Sequence, residues 1–323
     1  MLGKKMKKQN NSIDFTALSK RNFTLIEILL VMVIMFILAG LLAPGLIQAK
    51  QRAKFERWFA YNKQWNRDAD CVINFNFQEG EGDVLYNGCH GCDFPGYNSK
   101  TYNGHLSSTG AGDHNLEWIA GGRWGQFKKA LQFNGSDTYV NVPQTSAIDF
   151  TPADSFTLLA WVKFDKFELG DGIYSKSGWG TKDDASAQYD LYCDPTAGAT
   201  GDGAFEVDVF TTCVGWDQTD VEIDKIGWCQ VVLRYEGTTD GSDGQISCFV
   251  NGKPLGEARE TNNAVATQTH SDANCILGAI GAKEEYWGKP IIFPFQGRMD
   301  EFLMFKRALS DKEIEGHYEM GRE

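Results

Sequence analysis

Basic residues are in short supply. Lysine and arginine total 31 against 43 aspartates and glutamates, which gives a formal charge of −12 over 323 residues. Binding to a phosphate backbone needs a positive footprint, so this balance excludes nucleic acid as a partner. Signatures of common hydrolases are also missing. The chain has no Gly-x-Ser-x-Gly elbow and no His-Glu-x-x-His helix, which removes the serine-hydrolase and zinc-protease patterns. The histidines, His90, His105, His114, His270 and His317, are scattered and read as structural or surface residues. Glycine is plentiful at 35 and aromatics reach 13%, which points to many turns and a substantial β core.

The charge is unevenly placed. Lys4, Lys5, Lys7, Lys8, Lys20 and Arg21 cluster at the front, and Lys50, Arg52, Lys54 and Arg57 follow an apolar run. That run starts at Phe23 and continues to Ile47, interrupted only by Thr24, Glu27, Gly40, Pro44 and Gly45. About twenty apolar residues are enough to cross a bilayer as a helix. A cleaved secretory signal has a shorter apolar core and ends in small residues, so this segment reads as an anchor. The basic residues ahead of it set the orientation N-in, C-out, which exports everything after Lys50. The cysteines agree with this. All eight, Cys71, Cys89, Cys92, Cys193, Cys213, Cys229, Cys248 and Cys275, follow the anchor. An even count on the exported side fits an oxidising compartment, with at least one disulfide expected.

Glu27 is unusual, because a carboxylate in hydrocarbon is costly and tends to be functional. The stretch Lys20-Arg21-Asn22-Phe23-Thr24-Leu25-Ile26-Glu27 resembles the processing site of type IV prepilins and type II secretion pseudopilins. The resemblance implies that a prepilin peptidase cuts between Asn22 and Phe23 and methylates the new amine on Phe23. It implies assembly roles for Glu27, as the fifth mature residue, and for Pro44, where many pilins carry a helix-kinking proline. An ammonium on Phe23 and the carboxylate of Glu27 on a neighbouring subunit would neutralise each other in a low-dielectric bundle. The family ordinarily has glycine where this chain has Asn22, which implies a slower cut or a more tolerant peptidase. The helix is expected to continue from Gln48 to about Arg67, with Phe55, Trp58, Phe59, Asn62 and Trp65 on one face as a packing stripe.

From Cys71 the texture changes to short strands separated by Gly, Asn and Asp. Residues 72–77, 130–133, 138–142, 156–164 and 204–210 read as strands, and 228–235 with 245–250 as a pair. Asn134 to Asp137 reads as a turn, and Asn251-Gly252 as a tight turn. Ser310 with Glu313 reads as the capping box of a short helix. Many strands with turn chemistry between them mean a sandwich or jelly roll. In order, Asn76 to Gly82, Gly125 to Ser136, Phe156 to Val162, Trp228 to Arg234, Cys248 to Lys253 and Gly297 to Phe302 with Arg307 to Ile314 resemble the laminin-G-like, concanavalin-A-like jelly roll over residues 71–320. The expected fold class is therefore mainly β: an N-terminal transmembrane α-helix, then an antiparallel β-sandwich jelly roll. The expected domains are a basic leader at 1–22, a pilin-type helix at 23–69 and the jelly roll at 70–323.

Jelly-roll glucanases carry Glu-x-Asp-x-x-Glu on one strand. Glu206-Val207-Asp208 starts the pattern, but Thr211 stands where the last Glu belongs. Without the acid/base partner, Glu206 and Asp208 read as solvent-facing strand residues, and the chain reads as not an enzyme. Cys89-His90-Gly91-Cys92 has the spacing of half a zinc site or a redox pair. Lacking a second ligand pair, it reads better as a loop bridge or as partners for other cysteines. The family resemblance implies a structural Ca²⁺, with Asp83 and Asp300 as candidate ligands. Trp179, Trp216 and Trp287 lie in Gly-rich or polar contexts and are the candidate ligand-binding aromatics, whereas Trp161 and Trp228 belong to the core.

The sequence thus reads as a pilin-like or pseudopilin subunit in the bacterial cytoplasmic membrane, partnered by prepilin peptidase and by other pilin subunits. Its β domain would be periplasmic or extracellular and would bind a glycan or a surface protein. The alternatives are an envelope-anchored polysaccharide-active enzyme, or a type II secretion pseudopilin that binds no glycan.

Overall fold

The computed structural model of the protein describes residues 24–109, 116–166, 170–178, 187–193, 203–210, 212–217, 227–239, 244–256, 260–262, 272–283 and 288–322. It separates into two compact units, Met1–Lys50 and Gln51–Glu323.

The first unit is the apolar part of a 41-residue helix, α1, Leu25–Trp65. Its large apolar side chains from Leu25 to Ile47 are exposed, and α1 is long and apolar enough to span a membrane. A capping box starts it: the Glu27 carboxylate accepts from the Thr24 backbone N–H at 2.8 Å and its hydroxyl at 2.9 Å, and Glu27 N–H donates to Thr24 Oγ1 at 3.3 Å. The helix continues through Pro44.

The second unit is an antiparallel β-sandwich that includes the last third of α1. In chain order its strands are β1 Cys71–Phe75, β2 Val84–Leu85, β3 Gly104–Ser108, β4 Glu117–Gly122, β5 Gly125–Asn134, β6 Thr138–Val142, β7 Phe156–Phe164, β8 Asp171–Ser177, β9 Ala187–Cys193 and β10 Gly203–Phe210. They continue with β11 Thr212–Asp217, β12 Cys229–Glu236, β13 Gln245–Val250, β14 Lys253–Pro254, β15 Glu260–Asn262, β16 Cys275–Leu277, β17 Ile280–Gly281, β18 Ile291–Ile292 and β19 Gln296–Phe305. A short helix, α2, Asp311–Gly321, closes the chain. The mainly β jelly-roll class expected from the sequence is the class observed.

The first sheet runs β14-β13-β12-β7-β19-β5-β4. β19 is long enough to take two partners along one edge: Gln296–Met299 pair with β5 and Phe302–Phe305 with β1. The second sheet runs β15-β11-β10-β9-β8-β16-β6-β3-β2. The turn Asn134 to Asp137 joins β5 to β6 and so carries the chain from one sheet to the other rather than closing a hairpin. Thr138 Oγ1 and Asp137 N–H bond back to Asn134 Oδ1 and hold that turn. Asn251-Gly252 does close a hairpin: both residues have positive φ, 52° and 77°, as a two-residue turn between twisted strands requires.

One core fills the space between the sheets, with Phe75, Phe133, Phe156, Tyr174, Tyr189, Phe205 and Phe302 among its large members. A second apolar cluster covers the outer face of the first sheet, where Leu159, Trp161, Val232, Phe249, Leu303 and Phe305 meet Leu309 and Ile314 beside α2 and Trp65 of α1. The first sheet is thus buried on both faces, which is why β7, Phe-Thr-Leu-Leu-Ala-Trp-Val, is enclosed along its length instead of alternating. The capping box at the start of α2 forms as its sequence suggests, with Ser310 and Glu313 exchanging bonds.

Candidate functional site

Two polar regions stand out in the sandwich unit. One joins α1 to the first sheet. Normal alternation along β19 would send Asp300 and Glu301 to opposite faces. A bulge between Met299 and Glu301 breaks the alternation, so Met299 and Phe302 both enter the inner core. Asp300 and Glu301 both turn to the outer face, where both are enclosed. Arg123, at the turn between β4 and β5, meets them there. Its Nε donates to Asp300 Oδ1 at 2.7 Å, its backbone N–H to Asp300 Oδ2 at 2.8 Å, and its Nη2 to Glu301. The guanidinium lies over Trp161 at 4.1 Å and Trp124 at 4.7 Å.

From α1, Trp58 donates its indole N–H to Glu301 at 3.2 Å and Asn62 donates its amide to the same carboxylate. His317 of α2 stands 3.3 Å from Glu301 and 3.0 Å from the Gln230 amide. Burial pulls the Glu301 carboxyl up, but Arg123, His317 and Lys128 outweigh it and hold it down at about 2. Lys128 is enclosed beside the Asp300 and Asn76 carbonyls, 4.4 Å from the Trp58 ring. Burial pushes its ammonium down to about 8. The expected packing stripe of α1 is therefore a polar and aromatic joint.

The Cys-His-Gly-Cys loop belongs to the same joint. His90 and Gly91 N–H groups donate to the Asn66 carbonyl at 2.8 and 2.9 Å, which satisfies a carbonyl at the helix end. A Cβ on Gly91 would stand 2.5 Å from the Arg67 backbone, so only glycine allows that approach. Cys89 forms a disulfide with Cys71. Cys92 is a half-buried free thiol, while Cys229, Cys248 and Cys275 are buried free thiols. The loop is a clasp on the end of α1 instead of a redox pair or half of a zinc site.

The second region is the outer face of the second sheet. Register places His105, Asn141, Ile276, Ser175, Asp190 and Asp208 side by side across six strands. Asp190 and Asp208 are direct cross-strand neighbours, and Asp208 N–H donates to Asp190 Oδ1 at 3.1 Å. Both are buried and Glu206 is half-buried. This corrects the expectation for Asp208: it is not solvent-facing, because the outer face of β9 and β10 is covered.

At the β6–β16 end of the row lies a cleft of about 480 Å³. Its lining includes Tyr139, Asn141, Asp272, Asn274, Ile276 and Lys283. One wall is β17, which packs closely on β8: Ser175 Oγ donates to the Ala279 carbonyl at 3.1 Å and accepts from Gly281 N–H at 2.9 Å. A Cβ on Gly281 would stand 2.5 Å from the Ser177 carbonyl, so the close approach depends on glycine there. None of these lining residues was singled out from the sequence. The available signal was the outward alternation of Tyr139 and Asn141 between Thr138, Val140 and Val142, all three of which are buried.

The candidate residues fare differently. Trp216 is buried in the sandwich core and donates its indole N–H to the Gly256 carbonyl at 3.1 Å. Alternation on β11 turns it inward with Val214, so it is not an exposed binding aromatic. Trp179 and Trp287 lie outside the described residues, as do Asn22 and Phe23. In the chain, Trp179 follows Gly178, and Trp287 stands between Lys283 and Pro290; all three neighbours line the cleft. Asp83 is exposed. Asp300 is enclosed with both oxygens accepting from Arg123, so it does not fit a loop calcium ligand. Among the described residues no group of three or more His, Cys, Asp or Glu side chains is placed to hold a metal ion.

Comparison with solved structures finds several similar chains. The sialidase of Trypanosoma rangeli, in complex with sialic acid, matches with a TM-score of 0.51 and 16% identity over 82% of this chain and 37% of that one. Domain 4 of AbnA, a GH43 extracellular arabinanase from Geobacillus stearothermophilus, matches with a TM-score of 0.47 and 14% identity over 78% of this chain and 99% of that one. The binding domain of botulinum neurotoxin serotype D/C matches with a TM-score of 0.42 and 12% identity over 78% and 52%. The chain therefore spans about a third of the sialidase's length and half of the toxin domain's. No curated protein matches the chain. The family model described as the concanavalin A-like lectin/glucanases superfamily, Laminin_G_3, matches residues 134–315, more than half of the chain. With that match resting on the two-sheet sandwich, the protein belongs to the Laminin_G_3 family of the concanavalin A-like lectins and glucanases.

Proposed function

We propose that the protein is a pilin-like or pseudopilin subunit that displays its sandwich as an exported binding domain. α1 anchors it in the bacterial cytoplasmic membrane, N-in, after prepilin peptidase cuts between Asn22 and Phe23. The observation that carries this is the run Lys20 to Glu27 set at the head of a 41-residue helix whose apolar side chains are exposed. Glu27 supports it further. Its carboxylate folds back on Thr24, next in sequence to the residue whose amine cleavage would free. Other pilin subunits are the partners of the helix, and a glycan or surface protein is the partner of the sandwich.

Binding is favoured over catalysis because the Glu-x-Asp-x-x-Glu pattern of β10 stops at Thr211. Trp179 and Trp287 are proposed to contribute to the ligand surface. The test is a surface-attachment and glycan-binding assay with Trp179→Ala and Trp287→Ala. The display reading expects weaker binding with normal filament assembly. Unchanged binding by both variants would remove these tryptophans from the site.

One observation favours a second reading, an envelope-anchored polysaccharide-active enzyme: Asp190 and Asp208 face each other across β9 and β10. Close carboxylate pairs are the usual machinery of glycoside hydrolysis. Release of reducing ends from a polysaccharide panel, abolished by Glu206→Gln and by Asp208→Asn, would establish the enzyme and remove the binding-only reading.

A further inference from the structure

A second cluster of basic residues follows the apolar run of α1. Between Gln48 and Ala60 the chain carries Lys50, Arg52, Lys54 and Arg57 against a single carboxylate, Glu56. One face of this stretch is committed to the sandwich: Phe55 meets Trp124 with ring centroids 6.2 Å apart, and Trp58 is enclosed. The cations stand off that face. Arg52 and Arg57 are exposed and Lys54 is half-buried. Arg52 pairs with Glu56 at 3.7 Å, an exposed pair one helical turn apart, and among the described residues Lys54 and Arg57 make no ion pair. The β4–β5 turn beside them, residues 121–126, carries no carboxylate, and Glu319 near the end of α2 is paired with Arg322 at 2.9 Å. These cations therefore hold no part of the joint together.

Their place along α1 restricts their partner. Arg52, Lys54 and Arg57 follow Ile47, the last residue of the apolar run, by five, seven and ten residues, which at the helical rise is about 8, 10 and 15 Å. The headgroup layer on each side of a bilayer is about 5–8 Å thick. Long basic side chains lay their stems along apolar surface and carry the charge several ångströms from the backbone. Arg52 and Lys54 thus reach lipid phosphates, and Arg57 lies within a Debye length, about 8 Å, of them. A guanidinium fork suits a phosphate. An acidic protein surface would have to displace the headgroups to meet Arg52.

We propose that Arg52, Lys54 and Arg57 form a collar that binds the headgroups of anionic phospholipids at the surface where α1 leaves the membrane. It rests on the reading of α1 as a membrane anchor and not on prepilin cleavage.

The test places the full chain in mixed micelles holding equal amounts of phosphatidylglycerol and phosphatidylcholine, and native mass spectrometry counts the lipids retained. Phosphatidylglycerol is expected to be retained in excess. One cation near an anionic surface contributes about fivefold, so the combined variant Arg52→Gln, Lys54→Gln and Arg57→Gln is expected to reduce the preference about tenfold or more, with an unchanged melting midpoint. Lys63→Gln, sixteen residues and about 24 Å beyond Ile47, is expected to leave it unchanged. Should the combined variant fail to fold, raising ammonium acetate from about 0.05 to about 0.5 M on the native chain gives an independent readout, because screening shortens the reach of the collar; a preference that survives the salt would overturn it. Equal retention of the two lipids, or a preference that the combined variant keeps, would also overturn the collar. Equal loss with Lys63→Gln would overturn its placement at the membrane surface. Equal retention together with subunit cross-linking lost in the combined variant would assign the cations to an acidic neighbouring subunit instead. A carbonate wash of native membranes separates this proposal from the anchor: a chain that washes off overturns both, whereas a chain that stays and shows no lipid preference overturns the collar alone.

Discussion

Asp300 and Glu301 are consecutive strand residues, yet both reach the same guanidinium, that of Arg123, because the β19 bulge turns them to one face. Breaking a buried pair by removing one partner leaves an uncompensated charge and costs about 3–5 kcal/mol. Arg123→Met is therefore expected to destabilise the chain by about that amount in chemical denaturation. Arg322→Ala removes the exposed pair Arg322–Glu319, and such a pair contributes about 0–1 kcal/mol. Equal effects of the two variants would contradict the assignment of the joint as a buried network.

The joint also titrates. The Lys128 ammonium is pushed down to about 8 from an ordinary 10.5, first by burial, against the pull of Asp300. Between those values the unfolded chain holds a proton that the folded chain has released, so stability rises with pH across the window. The melting midpoint of the native chain is expected to gain on that of Lys128→Met from pH 8 to pH 10.5. A constant difference between the two would show that Lys128 keeps an ordinary pKa.

Cysteine reactivity divides along the same lines of burial. Burial pushes the Cys229 and Cys275 thiols up to about 12, and that of Cys248 higher still. Alkylation of the folded chain at pH 8, read by peptide mass mapping, is expected to spare all three. Cys71 and Cys89 are expected to label only after reduction. Their bridge contributes about 2–4 kcal/mol if it behaves as a typical disulfide, so reduction is expected to lower the melting midpoint. Labelling of Cys229 in the folded chain would contradict its burial.

The boundary of the sandwich follows from Trp58, Asn62 and Trp65. A soluble chain starting at Gln51 keeps them, whereas one starting at Asp70 exposes Glu301, Trp124 and Phe305 on the outer face of the first sheet. The shorter chain is expected to aggregate or to melt well below the longer one. Equal midpoints by differential scanning fluorimetry would show that the helix end adds nothing to the fold.

What the sequence made legible was local. β7, the β12–β13 pair, the Asn251-Gly252 turn and the Ser310–Glu313 capping box depend on neighbours within a few residues, and each was readable. The laminin-G-like order of segments was readable because it is spread over the whole domain. What escaped depends on distant partners. Nothing near Asp300 announces a bulge, since its effect is seen only when Arg123 arrives from 177 residues away. Trp216 sits among Gly215 and Asp217, which suggested exposure, but register with β10 sends it inward. Asp208 alternates as an outward residue should, and only the cover over the sheet makes it buried. The Cys71–Cys89 bridge and the cleft around Asn141 are likewise products of tertiary contact that no spacing encodes.

The mature N-terminus decides whether this sandwich is carried by a processed pilin-type helix, as proposed. Protein extracted from membranes of the native host is to be read by intact-mass and N-terminal peptide mass spectrometry. The expected chain begins at N-methylated Phe23, cleaved despite Asn22. A chain that still begins at Met1 would contradict it, and would leave a plain membrane anchor with the sandwich acting alone at the surface.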